Sequence, residues 1–370
     1  MNSSESKTDA LPMLRVRGVS KSFKTGNKTI DALTDVSFDV KPGEIFGIVG
    51  ESGSGKTTIG RIIAGLYTPD RGDVLIGEDR ISVGTLAIKR DIKRLKRQLS
   101  DSNKRLKMLR REKKDDSKIA LGNEIYVNDK LQNELKIAEF NLAQGERVNA
   151  KYKRRSHLAI RMVFQDPSAS LNPRMTTEEL VGEALLAIGV RDKDEIARRV
   201  RRVLDAVGMP VSSLSRYPHE FSGGQKQRIG IARAIITEPR LLVADEPLSA
   251  LDVSVGAQVA NLILDLASDM HLSVVFIAHD LSLVRRLCDR VGVMFKGRMV
   301  ELGGTDELFE NPTHPYTNAL LSAIPVPDPI LAKNNTRVHF STESMQNTGV
   351  FRNIGGEHYV LLSDGGDTDL

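Results

Sequence analysis

The run GESGSGKTT, Gly50 to Thr58, constrains this chain more than any other stretch. An apolar strand-type run, EIFGIV (44–49), leads into it and a helical stretch (56–66) leads out, so it occupies a strand-to-helix turn. Glycines at 50, 53 and 55 let the backbone approach phosphate oxygens, and successive N–H groups at the helix start supply positive potential. Lys56 adds a point charge near the terminal phosphates, and Thr57 is placed to ligate Mg2+. Gly50, Glu51, Ser52, Gly53, Ser54, Gly55, Lys56, Thr57 and Thr58 are therefore expected to form a phosphate cradle, a device of α/β folds.

The rest of the chain is consistent with that fold class. Short β-type runs at 14–20, 35–40, 44–49 and 73–76 precede a long basic segment, and IRMVFQ resumes β character at 160. Helical patterns follow at 176–188, 194–207 and 223–236. RLLVAD, a helix near 256–269, SVVFIA, a helix near 281–287 and RVGVMF then alternate, which predicts a parallel-type sheet covered by helices. The apolar run of LLVADEP aims Asp245 and Glu246 out of a strand's C-terminal end, where ligands sit in such sheets. Asp245 is expected to hold Mg2+ through water and Glu246 to polarise a water attacking a terminal phosphate.

Charge is distributed unevenly. The chain carries a net +5, yet residues 86–155 hold 21 Lys or Arg against 10 Asp or Glu. Within that segment Ile88, Ile92, Leu95, Leu99, Leu106 and Leu109 follow heptad spacing, with Ser102 in the one missed position. The pattern lapses through EKKDDSKIALGN (112–123) and returns at Leu131, Leu135, Ala138 and Leu142, predicting an antiparallel helical hairpin. Basic charge of this kind points to nucleic acid or anionic lipid for one segment only. Cys288 is the sole cysteine, which excludes an internal disulfide and a thiolate cluster. No run approaches the roughly 18 apolar residues of a membrane span, and MNSSESKTDALPM lacks a signal peptide's apolar core, so a cytoplasmic location is expected. From Pro325 onward the proline-rich sequence breaks regular structure, and the last stretch of chain reads as a weakly ordered extension.

FSGGQKQR, Phe221 to Arg228, resembles the signature of ATP-binding-cassette (ABC) ATPases, and the chain looks like such a cassette over about residues 13–325. The resemblance implies a P-loop NTPase fold: a RecA-like core sheet, an antiparallel β part and a helical signature subdomain (168–236). It implies ATP and Mg2+ as ligands. Ser222, Gly223, Gly224 and Gln225 match the segment that meets the γ-phosphate bound by a partner subunit. Phe23 matches the aromatic residue stacked on adenine; Gln165 the loop glutamine sensing Mg2+ and the membrane partner; Ser249, Ala250, Leu251 and Asp252 the dimer-contacting loop; His279 the switch histidine. Glu246, His279 and Gln165 are the implied catalytic set, and Thr57, Gln165 and Asp245 the metal set.

NPTHPYTNALLSAIPVPDP (311–329) and VFQDPSASLNPRM (163–175) resemble the ATPases of oligopeptide, dipeptide and nickel importers. That subgroup implies two permease subunits, an extracytoplasmic binding protein reached through them, a second ABC ATPase (identical or, preferably, different), and a place on the cytoplasmic face of the membrane. Two departures stand out. Residues 330–370 lack the cysteines of the family's C-terminal cluster, so no iron–sulfur cluster is expected, and Lys56 and Gln165 stand 109 residues apart, implying an insertion. The expected organisation is a disordered 1–12, a nucleotide-binding domain over 13–85 and 156–310, an inserted basic hairpin at 86–155 and an importer-type extension at 311–370. The hairpin is ranked as a solvated or regulatory projection, then as a dock for a partner or the anionic inner leaflet, with nucleic acid last. Competing classes are a DNA-associated ABC ATPase using the hairpin and a soluble accessory ATPase of the phosphonate-breakdown type.

Overall fold

Strands that alternate buried and exposed residues can leave one face in water, whereas strands buried throughout must be covered on both sides. The chain contains both kinds. The computed structural model describes residues 11–111, 116–155, 159–323, 340 and 349–363. Most of the expected N-terminal tail (1–10), the tip of the basic segment (112–115) and the PVPDP stretch lie outside the described residues.

In the first sheet, β1 (Leu14–Thr25), β2 (Lys28–Val40), β4 (Arg71–Ile76) and β5 (Asp79–Val83) pair antiparallel in the order β2-β1-β4-β5. The second sheet is built around β3 (Ile45–Val49), β6 (Ile160–Val163), β7 (Leu241–Asp245), β8 (Ser273–Ile277) and β9 (Arg290–Phe295), all parallel in the order β9-β3-β8-β7-β6. Every residue of β3, β7, β8 and β9 is buried, the expected outcome for their unbroken apolar runs. Helix α1 (Lys56–Ile63) follows β3, and its Ile59, Ile62 and Ile63 are fully buried, each worth about 1.5–3 kcal/mol. A helix anchored so firmly fixes the loop that precedes it.

The basic segment forms α2 (Leu86–Leu109) and α3 (Asp116–Arg155), packed antiparallel. From Asp116 on, the stretch where the apolar pattern lapses is already helical: α3 starts there and runs unbroken for 40 residues. Ser102, the missed heptad position, is fully buried and accepts from Asn128 Nδ2 at 3.0 Å, while Asn128 is itself buried and accepts from Gln132. A satisfied polar pair in an apolar seam sets register. Lys89–Glu146 and Lys96–Glu139 flank it as exposed ion pairs of small individual worth, and Arg105 pairs with the half-buried Glu124 at 3.1 Å. The root of the hairpin is built into the antiparallel sheet. The Asn149 amide pairs with both backbone groups of Val83, at 2.9 and 3.0 Å, as a strand would, and Tyr152 packs into the core beneath α1. The outer part projects.

After β6 come α4 (Pro167–Ser170), α5 (Thr177–Ala187), α6 (Lys193–Ala206) and α7 (Gly223–Ile235), with α8 (Val253–Asp269) and α9 (Leu281–Leu287) between the later strands. β10 (Arg298–Gly304) returns antiparallel to β9, followed by α10 (Thr305–Glu310) and α11 (Pro315–Ser322). Over 349–363 the weakly ordered ending expected from sequence is corrected: β11 (Gly349–Gly355) and β12 (His358–Ser363) form a hairpin, and β12 pairs with β10 at Glu301–Val360 and Leu302–Tyr359. Gly355 and Gly356, both at positive φ, make the turn, and the β-branched and aromatic residues Val350, Phe351, Ile354, Tyr359 and Val360 favour the strands. Among the described residues no helix is long and apolar enough to cross a membrane.

Candidate active site

Two turns of chain meet at the C-terminal ends of β3 and β7. The first is the loop from Gly50 to Lys56. A Cβ on Gly50 would lie 2.1 Å from the Met294 carbonyl and one on Gly55 2.6 Å from that of Ala32, so those two glycines are required by the protein's own backbone. Gly53 faces open space, leaving room for a ligand. Gly55 caps α1 in the left-handed region with no side-chain hydrogen bond, and the first turn holds no acidic residue. Its amides remain available to an anion. Gly297 N donates to Ser54 O at 2.9 Å and braces the loop from the β9–β10 turn.

Lys56 lies under this loop, buried, donating to Gly50 O at 2.7 Å and Glu51 O at 2.9 Å. Burial holds its pKa below the usual lysine value, against the opposing pull of Glu246, Asp245 and Glu51. Asp245 ends β7, and Thr57 Oγ1 donates to it at 3.0 Å. Burial raises the Asp245 carboxyl above its ordinary range despite that hydrogen bond. A cation at one group and an anion at the other would relieve both penalties. Thr57 and Asp245 are hard oxygen donors suited to Mg2+, and among the described residues no group of three or more His, Cys, Asp or Glu could hold a metal alone. A Mg2+ ion held there would complete its octahedral shell with water and phosphate oxygens.

The second turn begins at Glu246, a non-glycine residue at φ 46° whose N–H donates to Ile277 O at 2.9 Å. Left-handed geometry at such a residue carries strain of about 1–3 kcal/mol and is typical of functional turns. It swings the carboxylate toward two residues distant in sequence. Gln165 Nε2 donates to Glu246 Oε2 at 2.9 Å, and His279 Nδ1 lies 3.4 Å from the same oxygen. The three expected catalytic side chains thus come together on one atom. Beside them a cavity of about 220 Å3 is lined by Glu246, Ser249, Leu251, Asp252 and His279 among others.

Other expected residues are placed elsewhere. Ser222 caps α7 with a capping box: its hydroxyl accepts from Gln225 N at 3.3 Å, and Gln225 Oε1 accepts from Ser222 N at 3.0 Å. Gly224 lets α7 approach α8, since a Cβ there would meet Val255 Cγ1 at 2.3 Å, and Gly223 lies beside Leu251. No described contact joins Ser222–Gln225 to the phosphate loop of the same chain. Phe23 pairs with Ile30 in the β1–β2 register, half-buried, with its ring edge-on to Tyr67 at 5.5 Å. Phe23 has no described contact with the loop either; β2 reaches it through Ala32 and Leu33. Sequence reasoning missed Tyr316, whose hydroxyl accepts from Glu51 N at 3.1 Å, because nothing in its spacing links it to residue 51.

The family model described as "ABC transporter" matches residues 33–149 and 130–249, a span that takes in the phosphate loop, the α7 start and the Asp245–Glu246 turn. The chain belongs to the ABC transporter family. It is an ABC-type ATPase cassette, and its two matched pieces overlap at 130–149, inside the basic hairpin. A second model, "Oligopeptide/dipeptide transporter, C-terminal region", matches residues 300–348. The oligopeptide transport ATP-binding protein OppF of Bacillus subtilis is 38% identical over 357 residues, covering 95% of this chain and 96% of that protein. A putative peptide import ATP-binding protein of Brucella ovis is 41% identical over 318 residues, covering 86% of this chain and 80% of that protein. Among solved structures, the dimeric ATP-binding cassette MJ0796 in a post-hydrolysis state with ADP and Pi has a TM-score of 0.56 at 24% identity, covering 79% of this chain and 99% of that chain. CbiO1 of Clostridium perfringens has the same TM-score at 22% identity, covering 81% of this chain and 91% of that chain. These likenesses show the ABC fold.

Proposed function

We propose that this ABC cassette is the ATP-hydrolysing subunit of an importer that drives uptake of oligopeptides or dipeptides through partner permease subunits. The observation that carries the reading is the oligopeptide/dipeptide-type C-terminal region over 300–348, supported by relatives named for peptide import. The chain works on the cytoplasmic face of the membrane, with two permease subunits, a substrate-binding protein reached through them and a second ABC ATPase, identical or, preferably, a different gene product.

ATP phosphates lie along the loop from Gly50 to Thr58, and adenine stacks on Phe23. Lys56 exchanges its two carbonyl acceptors for phosphate oxygens, giving a charge disfavoured by burial an anionic partner. Thr57, Asp245 and Gln165 would hold Mg2+, which would neutralise charge on the phosphates. Glu246 takes a proton from the attacking water, with Gln165 and His279 holding its carboxylate in line. Ser222, Gly223, Gly224 and Gln225 serve the site on the partner cassette, and the partner's equivalent segment serves this one. Support comes from the exposed start of α7 and from Val253, which is 92% exposed at the head of α8 beside the Ser249–Asp252 loop. Closure of the pair completes both sites and hydrolysis reopens it, turning a nucleotide cycle into a mechanical one.

The test is stimulation of hydrolysis. Purified chain is expected to hydrolyse ATP poorly alone and faster in membranes containing its permease, with duplex DNA having no effect. Stimulation by DNA and none by permease membranes would overturn the importer reading.

A further inference from the structure

The C-terminal region of this chain is wired to the phosphate loop. Tyr316 begins the wiring at the loop end: its hydroxyl accepts the Glu51 N–H at 3.1 Å. Glu51 in turn carries the loop's internal bonds, because its carbonyl accepts from Lys56 Nζ at 2.9 Å and from Ser54 N at 3.2 Å. The Tyr316 ring is 2% exposed, with centroid distances of 4.3 Å to Phe295 and 5.5 Å to Phe340. Phe295 directly follows Met294, whose carbonyl closes on Gly50. Packing on two sides leaves the ring little freedom, so the hydroxyl is aimed rather than merely near.

Behind Tyr316 lies a buried carboxylate. His314 caps α11, its Nδ1 accepting from Tyr316 N at 3.1 Å. Glu301 on β10 is fully buried and accepts from Thr313 N at 2.8 Å and His314 N at 3.1 Å. The same carboxylate lies 2.8 Å from His358 Nε2 on β12, and His358 Nδ1 lies 3.4 Å from Glu307. A carboxylate buried this deeply is tolerated only with its oxygens satisfied. Two separate pieces of the C-terminal region, 311–322 and 349–363, supply those partners. Seating both pieces on Glu301 fixes where Tyr316 stands.

We infer that Tyr316 is a positioning residue for ATP binding: with the C-terminal region seated on Glu301, its hydroxyl pins Glu51 and holds the phosphate loop in its receptive conformation. The inference rests on the reading of Gly50–Thr58 as the ATP site, and Lys56→Ala tests that reading separately. Tyr316→Phe keeps the ring and deletes the acceptor. Losing one neutral hydrogen bond from the receptive state is expected to weaken MgATP binding to the full chain about three- to tenfold. Amide exchange at Glu51 should quicken, and the unfolding midpoint should shift by no more than about 4 °C. In the assembled transporter the variant should raise KM for ATP with kcat within about twofold, a split that general loss of structure would not produce. Wild-type ATP affinity in Tyr316→Phe, with Lys56→Ala defective, would overturn the tether and leave the ATP site standing. Wild-type ATP affinity in Lys56→Ala would instead remove the site on which the inference is built. Should Tyr316→Phe not fold, exchange in the wild type decides: protection at Glu51 well above that at Ser52 and Gly53 supports the tether, and equal protection overturns it.

Discussion

Glu246→Gln is expected to lower ATP turnover in the assembled transporter by about 10²–10⁴-fold, the usual range for removing a general base. The substitution is nearly isosteric, so the turn at φ 46° and the core around β7 should survive it. What is lost is the acceptor for the water's proton, at the one oxygen that Gln165 and His279 both approach. Phosphate cradle and signature segment are untouched. ATP should therefore still bind, and the ATP-bound pair of cassettes should accumulate because it cannot reopen. Phosphate release and size-exclusion chromatography with and without MgATP measure the two halves of the expectation. Unchanged hydrolysis would remove Glu246 from the base role.

Lys56→Ala is expected to weaken ATP binding by about 10- to 100-fold, the equivalent of one charge-assisted hydrogen bond in a buried setting. In the free chain the ammonium holds the loop's two carbonyls, Gly50 O and Glu51 O. Its burial is unfavourable until phosphate arrives, so most of its contribution is realised in the complex. The defect should thus be large in nucleotide titrations and small in thermal unfolding of the free chain. Equal losses in both would mean that Lys56 props up the loop and does little for the ligand.

Much of this site is legible in the linear sequence because the physics is local. A strand buried on both faces needs an unbroken apolar run, and a phosphate loop needs glycines and a lysine at fixed spacing; β3, β7 and Gly50–Lys56 show both. Ser222 with Gln225 likewise spells a helix cap within four residues. Contacts made by folding are another matter. Nothing local foretells that Gln165, Glu246 and His279 converge on one oxygen, or that Tyr316 reaches Glu51. Family resemblance suggested the first grouping and was silent on the second. Apolar periodicity also misjudged two regions for one reason: it counts hydrophobic residues alone. The seam of α3 continues through Asn128, a satisfied polar position, and the β11–β12 hairpin mixes Arg352 and Asn353 into an exposed strand. The hairpin root is a third case, where Asn149 imitates a strand with its side-chain amide.

The most direct test of the account is uptake. The chain, its partner ATPase and the permease subunits are reconstituted in vesicles with the binding protein and a radiolabelled oligopeptide outside and MgATP inside. Wild-type vesicles should accumulate peptide only with ATP present, and vesicles carrying Glu246→Gln should accumulate almost none. Peptide accumulation that proceeds equally with Glu246→Gln, or a fully assembled complex that hydrolyses ATP without moving any peptide, would contradict it.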